Sequence, residues 1–291
     1  MAIYFILIFQ QLIASSTHLI AKSATTEIHP ALVVFLRGGF AALAYAVWWV
    51  FKRKDLPKFE RSDLKKLLIL GLINIPINQL LFIWGLRFTT APNASLAYAL
   101  TPAFVLLTAL AFTKERTTRL KVIGIVVAFV GITIVLFERD VNFSSGYFLG
   151  NIMVLGASLS WAWFTLLGRD FAKKYGAIYS TALAMFMGWA MYIPFFIGLH
   201  FFADVPFNIG DLSGTNWFQI FYLGVITSGV GYALWNYALT KTDASKVAVF
   251  NNMQPILTTI LSIIFLSQEP SHIFVIGGLV AIVGVVLTQR G

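Results

Sequence analysis

Along this chain apolar residues come in long stretches, and polar residues gather in short clusters between them. The stretches lie at 2–21, 30–51, 66–86, 91–113, 119–137, 147–168, 178–202, 216–239, 245–267 and 272–289. Each approaches the roughly 20 residues that a helix needs to cross a bilayer. Almost none shows the charged face of a helix that meets water. The pattern predicts an all-α integral membrane protein with ten transmembrane helices. No Lys or Arg precedes the first stretch, and it runs on past Ser15 to Ala21. It therefore reads as a retained span and not as a signal peptide.

The pattern also repeats. Val122-Ile123-Gly124, Val127-Ala128 and Val130-Gly131 recur as Val275-Ile276-Gly277, Val280-Ala281 and Val283-Gly284, all at an offset of 153 residues. Upstream, Pro102 pairs with Pro255 and Glu115 with Glu269. With small gaps, Ala94-Ser95 pairs with Ala244-Ser245 and Trp84 with Trp235. The chain divides into two five-helix repeats, 1–140 and 141–291. Five is odd, so the second repeat enters the membrane from the opposite side. Inverted repeats are a common basis of alternating-access carriers, with the substrate between the halves near the midplane. Within each copy two glycines and an alanine fall at i, i+4 and i+7. Such a stripe lets another helix backbone approach closely, within the fold or from a second copy of the chain.

Charge gives the spans a direction. The chain has 21 Lys and Arg residues, and 17 fall in the even-numbered loops and beside the C-terminus. Lys52, Arg53, Lys54 and Lys58 begin that set. Lys114, Arg116, Arg169, Lys173, Lys174, Lys241, Lys246 and Arg290 belong to it. The other side holds only Lys22, Arg87 and Arg139, and Arg37 lies inside a span. Basic loops stay on the cytoplasmic side. Both termini are predicted to be cytoplasmic, in the cell membrane.

Composition agrees. Apolar residues make up 58% of the chain and charged ones 11%, against about 25% charged in soluble domains. A net charge of +9 would point to nucleic acid in a soluble protein. Distributed between spans, it implies no such partner. The absence of Cys excludes disulfides and thiolate metal sites.

At these residues the chain resembles the EamA-type members of the drug/metabolite transporter superfamily. The first copy reads Trp84-Gly85-Leu86-Arg87-Phe88-Thr89-Thr90-Ala91, then Pro102, Glu115-Arg116, Gly124 and Gly131. The second reads Trp235-Asn236-Tyr237-Ala238-Leu239-Thr240, then Ala244-Ser245, Pro255, Glu269, Gly277 and Gly284. Arg37 matches a basic residue that the family often has in its second span. The second copy departs in Glu269-Pro270 and in Ala238 where the first has Arg87. The resemblance implies export or exchange of small metabolites such as amino acids. It does not name the cargo.

Intramembrane polar residues should face the interior. Gln11, Ser15 and His18 share a face of the first span, and Asn74 and Asn78 one of the third, beside Gln79. Ser158, Trp161 and Thr165 align on the sixth. Ser228, Tyr232 and Trp235 align on the eighth. Pro102 frees the carbonyl of Tyr98, and Pro255 that of Asn251, because proline lacks an N–H and clashes four residues back. Both neighbourhoods are polar: Tyr98 and Thr101, then Asn251, Asn252 and Gln254. Either the breaks line a central cavity, or each is a kink closed by a neighbouring Ser or Thr. Trp161, Trp163, Tyr232 and Trp235 offer an aromatic wall, or simple packing. Arg37 lies about seven residues into its span. It either clamps a carboxylate, or snorkels, or bonds helix-end carbonyls. The candidate substrate site is His18, Arg37, Asn78, Gln79, Tyr98, Thr101, Trp161, Trp163, Tyr232, Trp235, Asn251 and Asn252.

No G-x-x-x-x-G-K-[ST] loop is present, which removes the familiar phosphate cradle. Neither H-E-x-x-H nor paired intramembrane Asp occurs, so no enzyme, cofactor or metal is expected. His18 is the one titratable group of suitable pKa near a polar face. Scarce buried charge favours a neutral or zwitterionic cargo. A membrane enzyme or a channel on the same duplicated bundle is the alternative. The expected partners are a small-molecule substrate and the lipid bilayer, with a homodimer left open.

Overall fold

The computed structural model describes residues 2–112, 118–136, 146–267 and 269–290. Lys114, Glu115, Arg116 and Arg139 lie outside these residues, as does the 140/141 boundary between the expected repeats. Among the described residues the fold is all-helical, with no strand. The first helices are α1 (Ala2–Glu27), α2 (Pro30–Lys52), α3 (Leu64–Leu72), α4 (Leu80–Phe88), α5 (Ala91–Ala99), α6 (Thr101–Phe112) and α7 (Arg119–Leu136). They are followed by α8 (Gly146–Tyr175), α9 (Ala177–Phe202), α10 (Gly214–Phe221), α11 (Tyr232–Lys241), α12 (Ala244–Ala248), α13 (Gln254–Leu266) and α14 (His272–Arg290).

Several are joined end to end. A π-helical segment, Ile73–Gln79, connects α3 to α4, and another, Tyr222–Gly231, connects α10 to α11. A turn at Leu100 joins α5 to α6, and a 3-10 segment, Val249–Met253, joins α12 to α13. Short polar turns start the helices. His29 caps α2, its ring nitrogen accepting from the Ala31 N–H, with Pro30 in the first position. Ser213 and Asn216 form a reciprocal capping box on α10.

Among the described residues, seven continuous helices are long and apolar enough to cross a membrane: Ala2–Glu27, Pro30–Lys52, Arg61–Phe88, Gly146–Tyr175, Ala177–Phe202, Gly214–Lys241 and Ala244–Leu266. The fourth expected span is divided at Leu100, and the fifth and tenth correspond to α7 and α14. The observed helices outrun the apolar stretches where polar turns extend them, as α8 does to Tyr175. Outward faces carry Ile, Leu, Val and Phe, among them Val126, Ile264, Phe265 and Ile276, all exposed. That surface suits hydrocarbon and not water.

The small-residue stripes meet each other inside the chain. A Cβ placed on Gly124 would lie 2.7 Å from the carbonyl oxygen of Gly284, and one on Gly284 would lie 2.7 Å from that of Gly124. Gly131 lies against Ala281 and Gly277 in the same way. As residue number rises along α7 it falls along α14, so the two helices pack antiparallel. Their backbones touch at a distance only glycine permits.

At one end, the residues before α3 are tied to the end of α8. Lys174 Nζ donates to Glu60 Oε2 (2.6 Å) and Asp63 Oδ2 (2.7 Å), and Tyr175 O–H donates to the same Asp63 oxygen at 2.6 Å. Arg169 of α8 pairs with Asp243, the residue before α12.

Candidate functional site

Where α1, α2, α4, α5, α8, α11, α13 and the irregular segments converge, the structure forms a cavity of about 60 Å³. Its lining comes from both halves of the sequence: Gln10, Thr17, His18, Arg37, Asn78, Phe82, Tyr98 and Trp161, then Thr227, Gly231, Tyr232, Asn251 and Gln254, with Ile13 and Ala14.

Irregular backbone surrounds it. Asn78 sits in the first π segment and Thr227 and Gly231 in the second. Tyr98 precedes the turn at Leu100, and Asn251 lies in the 3-10 segment. An i→i+5 turn is rare, and single examples tend to mark functional sites. The proline-freed carbonyls are satisfied locally. Thr101 Oγ1 donates to the Tyr98 carbonyl at 2.6 Å, and the Gln254 N–H donates to that of Asn251. Thus the breaks are closed within their own helices, while the side chains of Tyr98 and Asn251 line the cavity.

One polar network joins the first helix to the last irregular segment. Gln254 Nε2 donates to Gln11 Oε1 (2.9 Å) and to Asn251 Oδ1 (3.0 Å). Gln11 Nε2 donates to Asn251 Oδ1 and to Gln10 Oε1. Gln254 Oε1 is left as an acceptor, 2.9 Å from His18 Nε2. A carbonyl oxygen cannot donate, so Nε2 carries the proton. In the neutral ring Nδ1 is then an acceptor, and it is buried without a partner.

A second network crosses the bundle. Asn78 Nδ2 donates to the Ala157 carbonyl (2.7 Å) and to the Tyr98 hydroxyl (3.0 Å). Tyr232 O–H reaches Asn78 Oδ1 at 3.5 Å. Aromatic rings fill the space around it. Trp161 meets Tyr232 edge-on at 4.8 Å, and His18 meets Phe82 and Tyr98 edge-on at 5.1 and 5.6 Å. Arg37 donates from Nε to Ser228 Oγ at 2.8 Å, while its Nη1 is buried without a partner.

Of the residues singled out from the sequence, His18, Arg37, Asn78, Tyr98, Trp161, Tyr232 and Asn251 line this cavity. Gln79, Thr101, Trp235 and Asn252 do not. Gln79 is fully buried beside Asn78. Thr101 is occupied by the Tyr98 carbonyl. Trp235 is fully buried behind Trp161, its Nε1 donating to Thr165 Oγ1 at 3.1 Å. Asn252 is half-buried, one residue past the lining Asn251. Trp163 departs furthest from expectation. It is 41% exposed, and its Nε1 donates to Oγ1 of the buried Thr108 at 3.1 Å. Two residues along a helix is a rotation of about 200°, so Trp161 and Trp163 cannot face the same way. Arg37 does not snorkel, being 2% exposed.

Gln10, Thr17, Phe82, Thr227 and Gln254 were not in the expected set. Gln10, Ala14 and Thr17 make an i, i+4, i+7 stripe one residue from the one chosen, and that spacing was the available signal. Thr227 had no helical-period signal, because the π segment shifts its phase.

Comparison with known proteins gives a consistent result. The EamA-like transporter family matches residues 1–137 and 148–290. An uncharacterized transporter of Archaeoglobus fulgidus is 29% identical over 286 residues, covering 98% of this chain and 96% of its own. A probable terminal-alkyne amino-acid exporter of Streptantibioticus cattleyicolor is 24% identical, covering 78% of this chain and 74% of its own. A solved crystal structure, 18% identical, superposes with a TM-score of 0.68 over 99% of this chain and 96% of that one. It shares the fold.

Proposed function

The chain belongs to the EamA-like transporter family, and from that premise we propose a carrier for a small neutral or zwitterionic metabolite, amino-acid-like or amphipathic. It works by alternating access across the cytoplasmic membrane, in efflux or exchange. The family and the names of its relatives are those of transporters and not of enzymes. In this reading the chain crosses the membrane ten times as two inverted five-helix repeats, with both termini in the cytoplasm.

One observation carries it. The cavity is bounded by matched irregularities from both halves: two π segments in corresponding helices, and two proline-associated breaks in the helices that follow each. Broken helices around a central site are how carriers place polar groups at membrane depth. The antiparallel, reciprocal packing of α7 on α14 supports the inversion, since a two-fold axis in the membrane plane exchanges the two helices. The lining mixes amide and hydroxyl groups with the rings of Phe82, Trp161 and Tyr232. Such a surface suits a cargo with a polar head and an apolar or aromatic body. The printed name of the Streptantibioticus cattleyicolor relative supports an amino-acid-like cargo and export.

Counterflow tests this. Proteoliposomes holding the purified chain are preloaded with an unlabelled amino acid, and entry of the labelled one is followed. Preloading should accelerate entry for at least one member of an amino-acid panel. Entry that never responds to preloading, or that occurs as an ungated leak, removes the carrier reading in favour of a channel.

A further inference from the structure

We infer that Arg37 is the carboxylate subsite of the cavity, so that the cargo presents a carboxylate to this guanidinium. The word cargo rests on the carrier reading above; the binding chemistry does not.

Arg37 lies within α2, 2% exposed, and lines the cavity. A guanidinium stays charged in proteins. Buried charges are normally paired, because removal from water is costly without an opposite charge. Among the described residues Arg37 has no such partner. Its Nε donates to Ser228 Oγ, a neutral acceptor, and Nη1 has none. The acidic residues among the described ones are Glu27, Asp55, Glu60, Asp63, Asp170, Asp204, Asp211, Asp243 and Glu269. All are exposed except half-buried Asp63 at the end of the bundle. No described carboxylate is therefore available at the depth of the cavity.

The surroundings suit an anion. The Tyr98 hydroxyl accepts from Asn78, which leaves its own proton free to donate. Asn251 Nδ2 is a second buried donor without a partner. Both residues line the same cavity as Arg37. A carboxylate accepts through two oxygens and matches the planar guanidinium fork. A cargo amine meets no acidic group here, only neutral acceptors such as His18 Nδ1. The site should therefore require the acid group and merely tolerate the amine.

The test uses the full-length protein in detergent micelles and reads thermal stability, because a ligand stabilises the state it binds. The probes are phenylacetate, L-phenylalanine, phenylacetamide and phenethylamine, each titrated into wild type, Arg37→Lys and Arg37→Gln. The expected result is a Tm rise of several degrees with the two carboxylates and none with the amide or the amine. Arg37→Lys should keep a weakened preference, and Arg37→Gln should lose it. Should Arg37→Gln fail to fold, the wild-type series and Arg37→Lys still decide. An amide that stabilises wild type as well as its acid overturns the inference, as does a lack of response to either carboxylate. So does Arg37→Gln that retains the full preference, which would leave Arg37 as a tie to Ser228 only. A carboxylate preference without counterflow would retain the subsite and sink the carrier; counterflow of amides would do the reverse.

Discussion

Gly131 and Gly277 face each other backbone to backbone. A Cβ on Gly131 would lie 2.6 Å from the Gly277 carbonyl oxygen, and one on Gly277 would lie 2.8 Å from that of Gly131. The relation is reciprocal, and its repeat counterpart is the contact between Gly124 and Gly284, since Gly124 is the equivalent of Gly277 and Gly131 that of Gly284. The small-residue stripes are thus used within one chain, to hold the last helix of each half against the other.

Substitution at this contact should separate α7 from α14. Gly131→Leu forces a side chain into backbone, where nothing flexible can yield. The expected cost is about 1–3 kcal/mol or more, seen as a lowered Tm in micelles. Gly198→Leu is the control, since a Cβ there meets nothing within 4 Å. Equal stability of the two variants would contradict this packing.

The indole of Trp235 is fully buried and donates to Thr165. Thr165→Val keeps the shape and removes the acceptor. A buried donor left without a partner costs about 1–3 kcal/mol, so the Tm should fall. Thr165→Ser should stay close to wild type. Neither residue lines the cavity, so ligand selectivity should be unchanged in both.

The chain lacks Cys, so single cysteines report topology cleanly. Lys54→Cys and Asp204→Cys both place the thiol at exposed positions, on opposite sides of the proposed arrangement. An impermeant maleimide should label Asp204→Cys in intact cells and Lys54→Cys only after permeabilisation. Labelling of both in intact cells would refute ten spans with cytoplasmic ends.

The ion pairs of Lys174 should respond to acid. Asp63 and Lys174 lie outside the apolar stretches 66–86 and 147–168. Hydrogen bonds from Lys174 and then Tyr175 hold the Asp63 carboxyl below its ordinary value, and Asp63 and Glu60 raise the Lys174 ammonium. A depressed acid contributes stability above its unfolded pKa, about 4, and loses it as pH falls through the folded value. A raised base contributes below its unfolded value and loses it only in strong alkali. The tie should be constant from pH 5 to 9. Lys174→Gln should lower Tm equally across that window, and the gap should begin to narrow below about pH 4 and go on narrowing as pH falls through the depressed Asp63 value. A gap that does not narrow at all between about pH 5 and about pH 2 would show that the ion pair does not act.

The sequence by itself determined the class of the molecule. Stretch length and hydropathy are properties of a line of residues, so apolar segments of about membrane length were legible. So were the helix-breaking prolines and the repeated glycine stripe. Only the tertiary structure decided which polar residues meet. A side chain's direction depends on how its helix is turned against its neighbours, and here that phase is not uniform. The π segments 73–79 and 222–231 each take up more residues per turn, so positions beyond them rotate away from a regular helical count. That is why Asn78 and Thr227 share a cavity with Gln10 and Thr17, and why Trp235 became a support and not a wall. The partner of Arg37 was equally invisible: Ser228 is 191 residues away in sequence, and only packing brings the two together.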